Sequence, residues 1–324
     1  MVKNNNKNTR YLTLDIGGTF IKYSVMDGKK AFIFKDKTPS RIYEGGESLV
    51  KKVYSIIQET KKNHPIEGVA ISSTGIVDSI SGRIVYADDV MEGYTGRNYT
   101  KDIQDKFSLR ASASNDVNCL ALSQVPYNKG TDFVVVAIGT GIGGASVIND
   151  KVYEGYGFSA GEFGLMHIRE GKNWEALCSV SALVKAAKEA RLNVSNGKEL
   201  FDLYDEEDEL ALEIVDNFNK DMANGISNLI YAFAPRKIIL GGGISSRKEK
   251  LVTGIKKYLG IMMDSYYFAK TNIECARYEN DAAMIGALEH FFNVYERWFK
   301  EAYTTRKTSH ILFQDSILEV LFCP

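Results

Sequence analysis

The sequence predicts an α/β protein of two related lobes. Three observations carry that reading. Two glycine clusters, Asp15-Ile16-Gly17-Gly18-Thr19 and Gly139-Thr140-Gly141-Ile142-Gly143-Gly144, each follow an apolar, β-branched run. Each is followed by another strand-like run, 20–25 and 145–148, so that strand, glycine turn, strand occurs twice. The elements that follow the first cluster also have counterparts, in the same order, after the second.

The elements read as follows. Residues 11–25 form a hairpin that 30–34 continues, and 47–60 are an amphipathic helix. Residues 68–71 are a buried strand ending in Ser72-Ser73-Thr74-Gly75. Residues 109–113 lead into Ser114-Asn115-Asp116-Val117-Asn118, and 119–122 start a helix that Asn115 or Asp116 is placed to cap. The second half has a strand pair over 133–153, a long helix over 208–232, and a buried strand at 237–240 that opens into Gly241-Gly242-Gly243. A last helix follows Asp281 and contains 282–288. The expected division is an N-terminal lobe over 1–120 and a C-terminal lobe over 121–298, the last helix packing back on the first lobe. In the tail, 299–324, Leu318-Glu319-Val320-Leu321-Phe322 resembles the start of an engineered protease-cleavage linker, and no function is assigned to it. The other reading is a native apolar tail that packs on the body.

A chain of 324 residues is long enough for two domains. Its 44% hydrophobic and 25% charged residues are an ordinary globular balance, which excludes a disordered chain. A net charge of −1 gives no field to attract nucleic acid or an anionic membrane. Cys119, Cys178, Cys275 and Cys323 are far apart, which suits reduced thiols and not a disulfide framework. No run reaches the ~18 apolar residues of a membrane span. The polar start, residues 1–8, lacks an apolar signal core. A soluble, cytoplasmic protein is expected.

Glycines allow a tight turn to bring backbone N–H groups close to an anion, and two such turns facing each other would grip a polyphosphate. Asp15, ending a strand beside the first turn, suits Mg²⁺ directly or through water. The Thr19 hydroxyl can donate to a phosphate, and Lys22 adds charge. Alone, this stretch would be an ordinary hairpin; the second turn argues otherwise. Residues 139–144 also fit G-x-G-x-x-G, which makes a dinucleotide-binding fold a competitor. That fold needs a helix after the glycines. Residues 145–150 read as a strand running into a polar turn, and no Walker pattern is present.

Asp116 is the candidate base for a hydroxyl that attacks phosphorus, with Asn115 beside it for neighbouring hydroxyls. From spacing alone, a helix cap is the stronger reading of both. Glu162 and Glu175 can each bind adjacent sugar hydroxyls; in isolation, solvated loop glutamates are the simpler reading. Gly241, Gly242 and Gly243 suit a backbone lying against a nucleoside about as well as a flexible turn. The four histidines form no spaced pair.

Together these segments resemble the ROK family (repressor, open reading frame, kinase) of sugar kinases, within the actin-like ATPase superfamily. The resemblance runs from residue 11 to about residue 292. Residues 15–19 and 138–144 match the family's two phosphate motifs. Ser72-Ser73-Thr74-Gly75 resembles S-x-P-G, with Thr74 in the proline position. Asn115-Asp116-Val117-Asn118 matches N-D-x-N, and Ala160-Gly161-Glu162-Phe163-Gly164 matches A-G-E-x-G. Gly241-Gly242-Gly243-Ile244 resembles the adenosine segment.

The resemblance implies two ribonuclease H-like lobes, each a mixed sheet flanked by helices, with a cleft between them. It implies ATP and Mg²⁺ on Asp15, Gly17, Gly18, Thr19, Gly139, Thr140, Gly141, Gly143, Gly241, Gly242 and Gly243. A hexose or N-acetylhexosamine, of N-acetylmannosamine or glucose type or alternatively a β-glucoside, would lie against Asn98, Asn115, Glu162 and Glu175, with Asp116 as base at its 6-hydroxyl. A homodimer is also implied. Two departures stand out. Leu165 takes the position where many members have histidine, and 171–176 lacks the cysteines of their zinc cluster. One thiol, Cys178, cannot build a tetrahedral site, so no structural zinc is expected. Packing by Trp174 would serve in its place. Tyr86-Ala87 and Tyr94-Thr95-Gly96-Arg97-Asn98 resemble the sugar segment of bacterial N-acetylmannosamine kinases. Asn228-Leu229-Ile230-Tyr231 resembles zinc-less β-glucoside kinases. Two rivals within the family are a sugar-responsive transcription regulator and a catalytically silent sensor. Ten residues before the first strand are too few for a helix-turn-helix. An intact Asp116 speaks against the sensor.

Overall fold

The structure, a computed structural model, describes residues 9–295. The expectations for residues 1–8, for the 299–324 tail and for Cys323 lie outside the described residues.

The first half opens with a meander of β1 (Arg10–Ile16), β2 (Phe20–Asp27) and β3 (Phe32–Pro39). Helix α1 (Gly46–Asn63) then crosses over, and β4 (Ile66–Ser73) returns parallel to β1. In α1, Leu49, Val50, Val53, Ile56 and Ile57 recur at helical spacing and are all buried, so one stripe covers the sheet. A small hairpin, β5 (Ile76–Asp78) and β6 (Arg83–Tyr86), precedes α2 (Tyr99–Phe107). Strand β7 (Arg110–Asn115) pairs parallel with β4, and α3 (Asp116–Gln124) follows at once. The sheet order is β3-β2-β1-β4-β7. Strands β1 and β4 are buried almost end to end, which is why they read as continuous apolar runs.

The second half repeats this plan. Strands β8 (Phe133–Ile138), β9 (Ile142–Ile148) and β10 (Lys151–Tyr153) form the meander. A hairpin of β11 (His167–Arg169) and β12 (Lys172–Asn173) leads to four helices: α4 (Trp174–Cys178), α5 (Val180–Glu189), α6 (Gly197–Asp205) and α7 (Glu209–Phe233). Strand β13 (Lys237–Gly241) lies parallel to β8. After α8 (Glu249–Met262) and the short α9 (Ser265–Phe268), β14 (Asn272–Cys275) lies parallel to β13. The order β10-β9-β8-β13-β14 matches the first sheet strand for strand. The final described helix, α10, covers 282–295. The α/β class with two mixed sheets and flanking helices is therefore as expected.

The two helices after the sheets exchange places. Helix α3 leaves the first sheet and packs Val117, Leu120 and Ala121 against Phe133, Val135 and Val147 of the second. Helix α10 leaves the second sheet and packs Met284, Ile285, Leu288 and Phe291 with Tyr11, Met26 and Ala70 of the first. They meet where Gly286 lies against the backbone of Cys119. Among the described residues, no helix is long and apolar enough to cross a membrane. Cys119, Cys178 and Cys275 are free thiols, the first two buried.

Candidate active site

Parallel strands end on one side of each sheet, and both sets of ends open into one cavity of about 620 Å³. Asp15 and Asp116 stand in its floor, one at the end of β1 and one just after β7.

Asn115 resolves the competition between cap and chemistry. Its Oδ1 accepts from the amides of Val117 (2.9 Å) and Asn118 (3.1 Å), and its Nδ2 donates to the Gly75 carbonyl at 3.0 Å. The cap of α3 is thus Asn115, and Asp116 is the first residue of the helix. Asp116 Oδ1 accepts from Val117 N at 2.9 Å. Burial lifts its pKa to about 7, the nearby Asp15 carboxylate adds to the lift, the Val117 amide opposes it, and Glu162 contributes further in the upward direction. Asp15 Oδ1 accepts from Ser72 Oγ at 2.9 Å and its Oδ2 from Lys22 Nζ at 3.1 Å. Asn118 is also in the wall; its Oδ1 is buried and has no partner among the described residues.

The second glycine turn lines the cavity from Gly139 to Gly144. Gly139 N donates to Gly141 O at 2.9 Å, closing the turn. A Cβ at Gly141 would meet the Glu175 carboxylate, and one at Gly143 the Val117 side chain. Beyond Gly139 there is open space. Gly242, at φ +82°, lies against the Ile138 carbonyl and borders the cavity; Gly241 packs on Leu120 and, like Gly243, is not in the wall. The first turn sits differently. Gly18 O accepts from Ser40 Oγ at 2.7 Å and Thr19 O from Ser40 N at 3.0 Å. Asp15 and Lys22, which flank the turn, reach the cavity, whereas Gly17, Gly18 and Thr19 do not line it.

Glu162 and Glu175 are both in the wall. Burial, and then the Glu175 charge, push the Glu162 pKa up. Glu175 Oε2 accepts from Ile142 N at 2.9 Å, so it also braces the glycine turn. Its helix α4 is capped by Asn173 Oδ1, which accepts from Ala176 N at 2.9 Å. Trp174 is fully buried, with its ring where a Cβ on Gly225 of α7 would be. The preceding hairpin is tied to α7 by an ion pair of Arg169 with the buried Asp221. Asn98 is not brought to this cavity; its Oδ1 accepts from Lys101 N at 2.9 Å and caps α2.

Sequence reasoning missed part of the wall. Glu279 and Asn280 approach from the turn before α10, and the Asn280 carbonyl accepts from Lys22 Nζ at 3.4 Å. No local motif marks that turn, although Tyr278 and Glu279 both have positive φ. Asn118 belongs to a recognised motif but had been given no role. Among the described residues, no group of three or more His, Cys, Asp or Glu side chains is placed to hold a metal.

The model of the ROK family matches residues 11–292. The chain belongs to the ROK family. A β-glucoside kinase of Listeria innocua is 31% identical over 291 residues, a match that spans 86% of this chain and 95% of that one. Among solved structures, a ROK family protein from Streptococcus pneumoniae in complex with sucrose superposes with a TM-score of 0.76 at 26% identity, over 90% of this chain and all of the other. A ROK family glucokinase from Streptomyces griseus, in complex with glucose and AMPPNP, shares the fold with a TM-score of 0.75 at 21% identity, over 86% and 98% of the two chains.

Proposed function

We propose that this ROK-family chain is an ATP-dependent sugar kinase that phosphorylates the 6-hydroxyl of a hexose or N-acetylhexosamine. The observation that carries the reading is Asp116: a carboxylate with a pKa of about 7 that lines one cavity together with the second glycine turn, Glu162 and Glu175.

The site suits its reactants. A Cβ on Gly139 would meet nothing within 4 Å, and a turn closed by glycines lets amides approach an anion. Asp15, directly or through water, and the unpartnered Asn118 Oδ1 are oxygen donors, the kind a hard divalent cation takes, and Mg²⁺ commonly uses one or two carboxylates together with substrate phosphates. When bound, such an ion would neutralise phosphate charge. Glu162 and Glu175 offer acceptor oxygens for paired sugar hydroxyls.

The chemistry of the chain's own residues follows. A carboxylate with a pKa near 7 is ionised in a large fraction of molecules at neutral pH and is a stronger base than an exposed one. Asp116 takes the proton of the sugar hydroxyl as that oxygen bonds to the γ-phosphorus. The bond from that phosphorus to the bridging oxygen breaks, the electron pair leaves with ADP, and the proton on Asp116 passes to solvent. Lys22 and the turn amides hold the charge that develops on the transferring group. The reading carries with it a cytoplasmic reaction, drawing on the ATP of that compartment. The contacts Trp174–Gly225 and Arg169–Asp221 hold the Glu175 segment in the role a metal would otherwise have. A homodimer, the assembly expected for the family, is tested by sedimentation of the full chain.

The experiment is Asp116→Asn, assayed with a panel of hexoses and N-acetylhexosamines. Loss of a positioned base lowers kcat by about 10²- to 10⁴-fold, while calorimetry still records sugar binding. Phosphoryl transfer at the unaltered rate would remove Asp116 from the base role.

A further inference from the structure

Helix α3 lines the cavity at one end and holds a piece of its wall at the other. Asp116 starts the helix and Gln124 ends it, about 12 Å further along the axis. Gln124 is 2% exposed. Its Oε1 accepts from Arg277 N at 3.0 Å and its Nε2 donates to Arg277 O at 3.2 Å. One side chain thus takes both backbone groups of one residue, which needs an acceptor and a donor together, as an amide has. Arg277 opens the turn that carries Glu279 and Asn280 into the cavity wall. Tyr278 (φ 70°) and Glu279 (φ 44°) are consecutive non-glycine residues in the left-handed region. Such backbone persists where the surroundings impose it. The buried Gln124 clamp lies one residue away. On the outer side the Tyr278 ring meets Tyr127 (centroids 5.9 Å apart), and the Arg277 guanidinium lies 4.5 Å over the same tyrosine. The ion pairs Lys35–Asp281 and Lys248–Glu279 also touch the turn, but solvent reaches both and makes them weak braces.

What the turn delivers is a carbonyl. Asn280 O accepts from Lys22 Nζ at 3.4 Å, while Asp15 Oδ2 accepts from the same ammonium at 3.1 Å. A lysine ammonium has three donors, so one is left for a phosphate. The Lys22 side chain is long and 34% exposed, and holding it in one rotamer costs entropy that these two acceptors offset. We infer that Gln124 is a positioning residue for phosphoryl transfer: its amide sets the 277–280 turn, the turn sets Lys22, and Lys22 meets the phosphates of ATP. The inference rests on the kinase reading and adds to it a residue outside the cavity wall.

Gln124→Met keeps the length of the side chain and loses both hydrogen bonds to Arg277. The full chain is assayed with ATP and Mg²⁺ and the best acceptor among glucose, N-acetylmannosamine and methyl β-D-glucoside. The variant should raise KM for ATP by about tenfold, the scale of one lost hydrogen bond to a charged group. KM for the sugar should stay within about twofold, since the effect runs through the phosphates. Tyr127→Ala, at a residue 47% exposed, loosens the same turn from the surface and should move KM for ATP in the same direction. It carries the test if the methionine variant does not fold. In a Lys22→Met background, Gln124→Met should add less than about twofold, because the two residues act in series. A merely structural glutamine would lower the urea midpoint and leave KM for ATP alone. The inference is overturned if KM for ATP is unchanged in every variant that folds, if KM for the sugar rises as much, or if the tenfold effect persists without Lys22. Those results leave the kinase reading intact, whereas no transfer to any acceptor by the unaltered chain would remove both.

Discussion

Lys22 Nζ lies 3.1 Å from Asp15 Oδ2, across paired positions of β1 and β2. The same ammonium reaches the Asn280 carbonyl at 3.4 Å, and both residues line the cavity. One cation therefore joins the end of the first sheet to the turn before α10, beside the place proposed for the phosphates.

Removing that cation should weaken nucleotide use. A hydrogen bond to a charged group contributes about 1.5–3 kcal/mol, and each 1.4 kcal/mol is tenfold. Lys22→Met is expected to lower kcat/KM for ATP by about 10- to 100-fold on that scale, and Lys22→Arg by less. Steady-state kinetics with varied ATP measures this, and an unchanged value in the methionine variant contradicts it.

Asp116 sets the acid side of the pH profile. Its pKa is about 7 in the free protein, and only the ionised form accepts a proton. Activity as kcat/KM should thus rise with pH through about 7, the value cited for this group. Asp15 is a cause of the raised value, so Asp15→Asn should move the Asp116 titration to lower pH. Carbon-detected NMR of labelled aspartate in the free protein reads this without turnover; a titration that stays in place contradicts the coupling.

The crossing of α3 and α10 is sterically tight. Gly286 sits against the Cys119 carbonyl so closely that no Cβ fits without a shift of one helix backbone. Gly286→Val should therefore lower stability by about 1–3 kcal/mol, the usual cost of overpacking, read as a lower urea midpoint. An unchanged midpoint would mean that the helices move apart freely.

His290 makes stability pH-dependent. Its Nε2 donates to the Ser79 carbonyl at 3.1 Å, and burial pushes its pKa down to about 4. Between its ordinary value of 6.5 and about 4, the unfolded chain binds a proton that the folded chain does not. The contribution is complete above pH 6.5 and is lost as pH falls towards 4, up to about 3 kcal/mol in all. His290→Gln should flatten this part of the profile. Urea unfolding at pH 7 and pH 4.5 compares the two proteins, and equal slopes would assign the acid sensitivity elsewhere.

Some of this was legible in the chain because it is local. A glycine pair after a strand declares a turn, and alternating or continuous apolar runs declare which strands are half or fully buried; the matching strand orders of the two sheets follow from that repetition. Asn115 carried the local signal of a cap and does cap a helix, whereas Asn98, expected at the sugar, turns out to cap one as well. That signal could not say that Asn115 also lines the cavity while Asn98 does not. Nor does a local pattern mark Trp174 resting on Gly225, or Lys22 touching Asn280, because each pair is far apart along the chain.

The sequence alone determined the two strand–glycine-turn–strand repeats and the long helices over 47–60 and 208–232, since these depend on short-range periodicity and backbone freedom at glycine, and its motifs carried the resemblance to the family; it did not mark the β5–β6 hairpin, α8 or β14. Tertiary structure alone decided which side chains share a cavity. It exchanged α3 and α10 between the sheets and set the Asp15 carboxylate near Asp116. It also gathered Ile76, Tyr86, Phe158 and Leu165 into the wall of that cavity from two distant segments. The reason is physical: desolvation and charge–charge coupling depend on distance in space, and distance along the chain does not encode it.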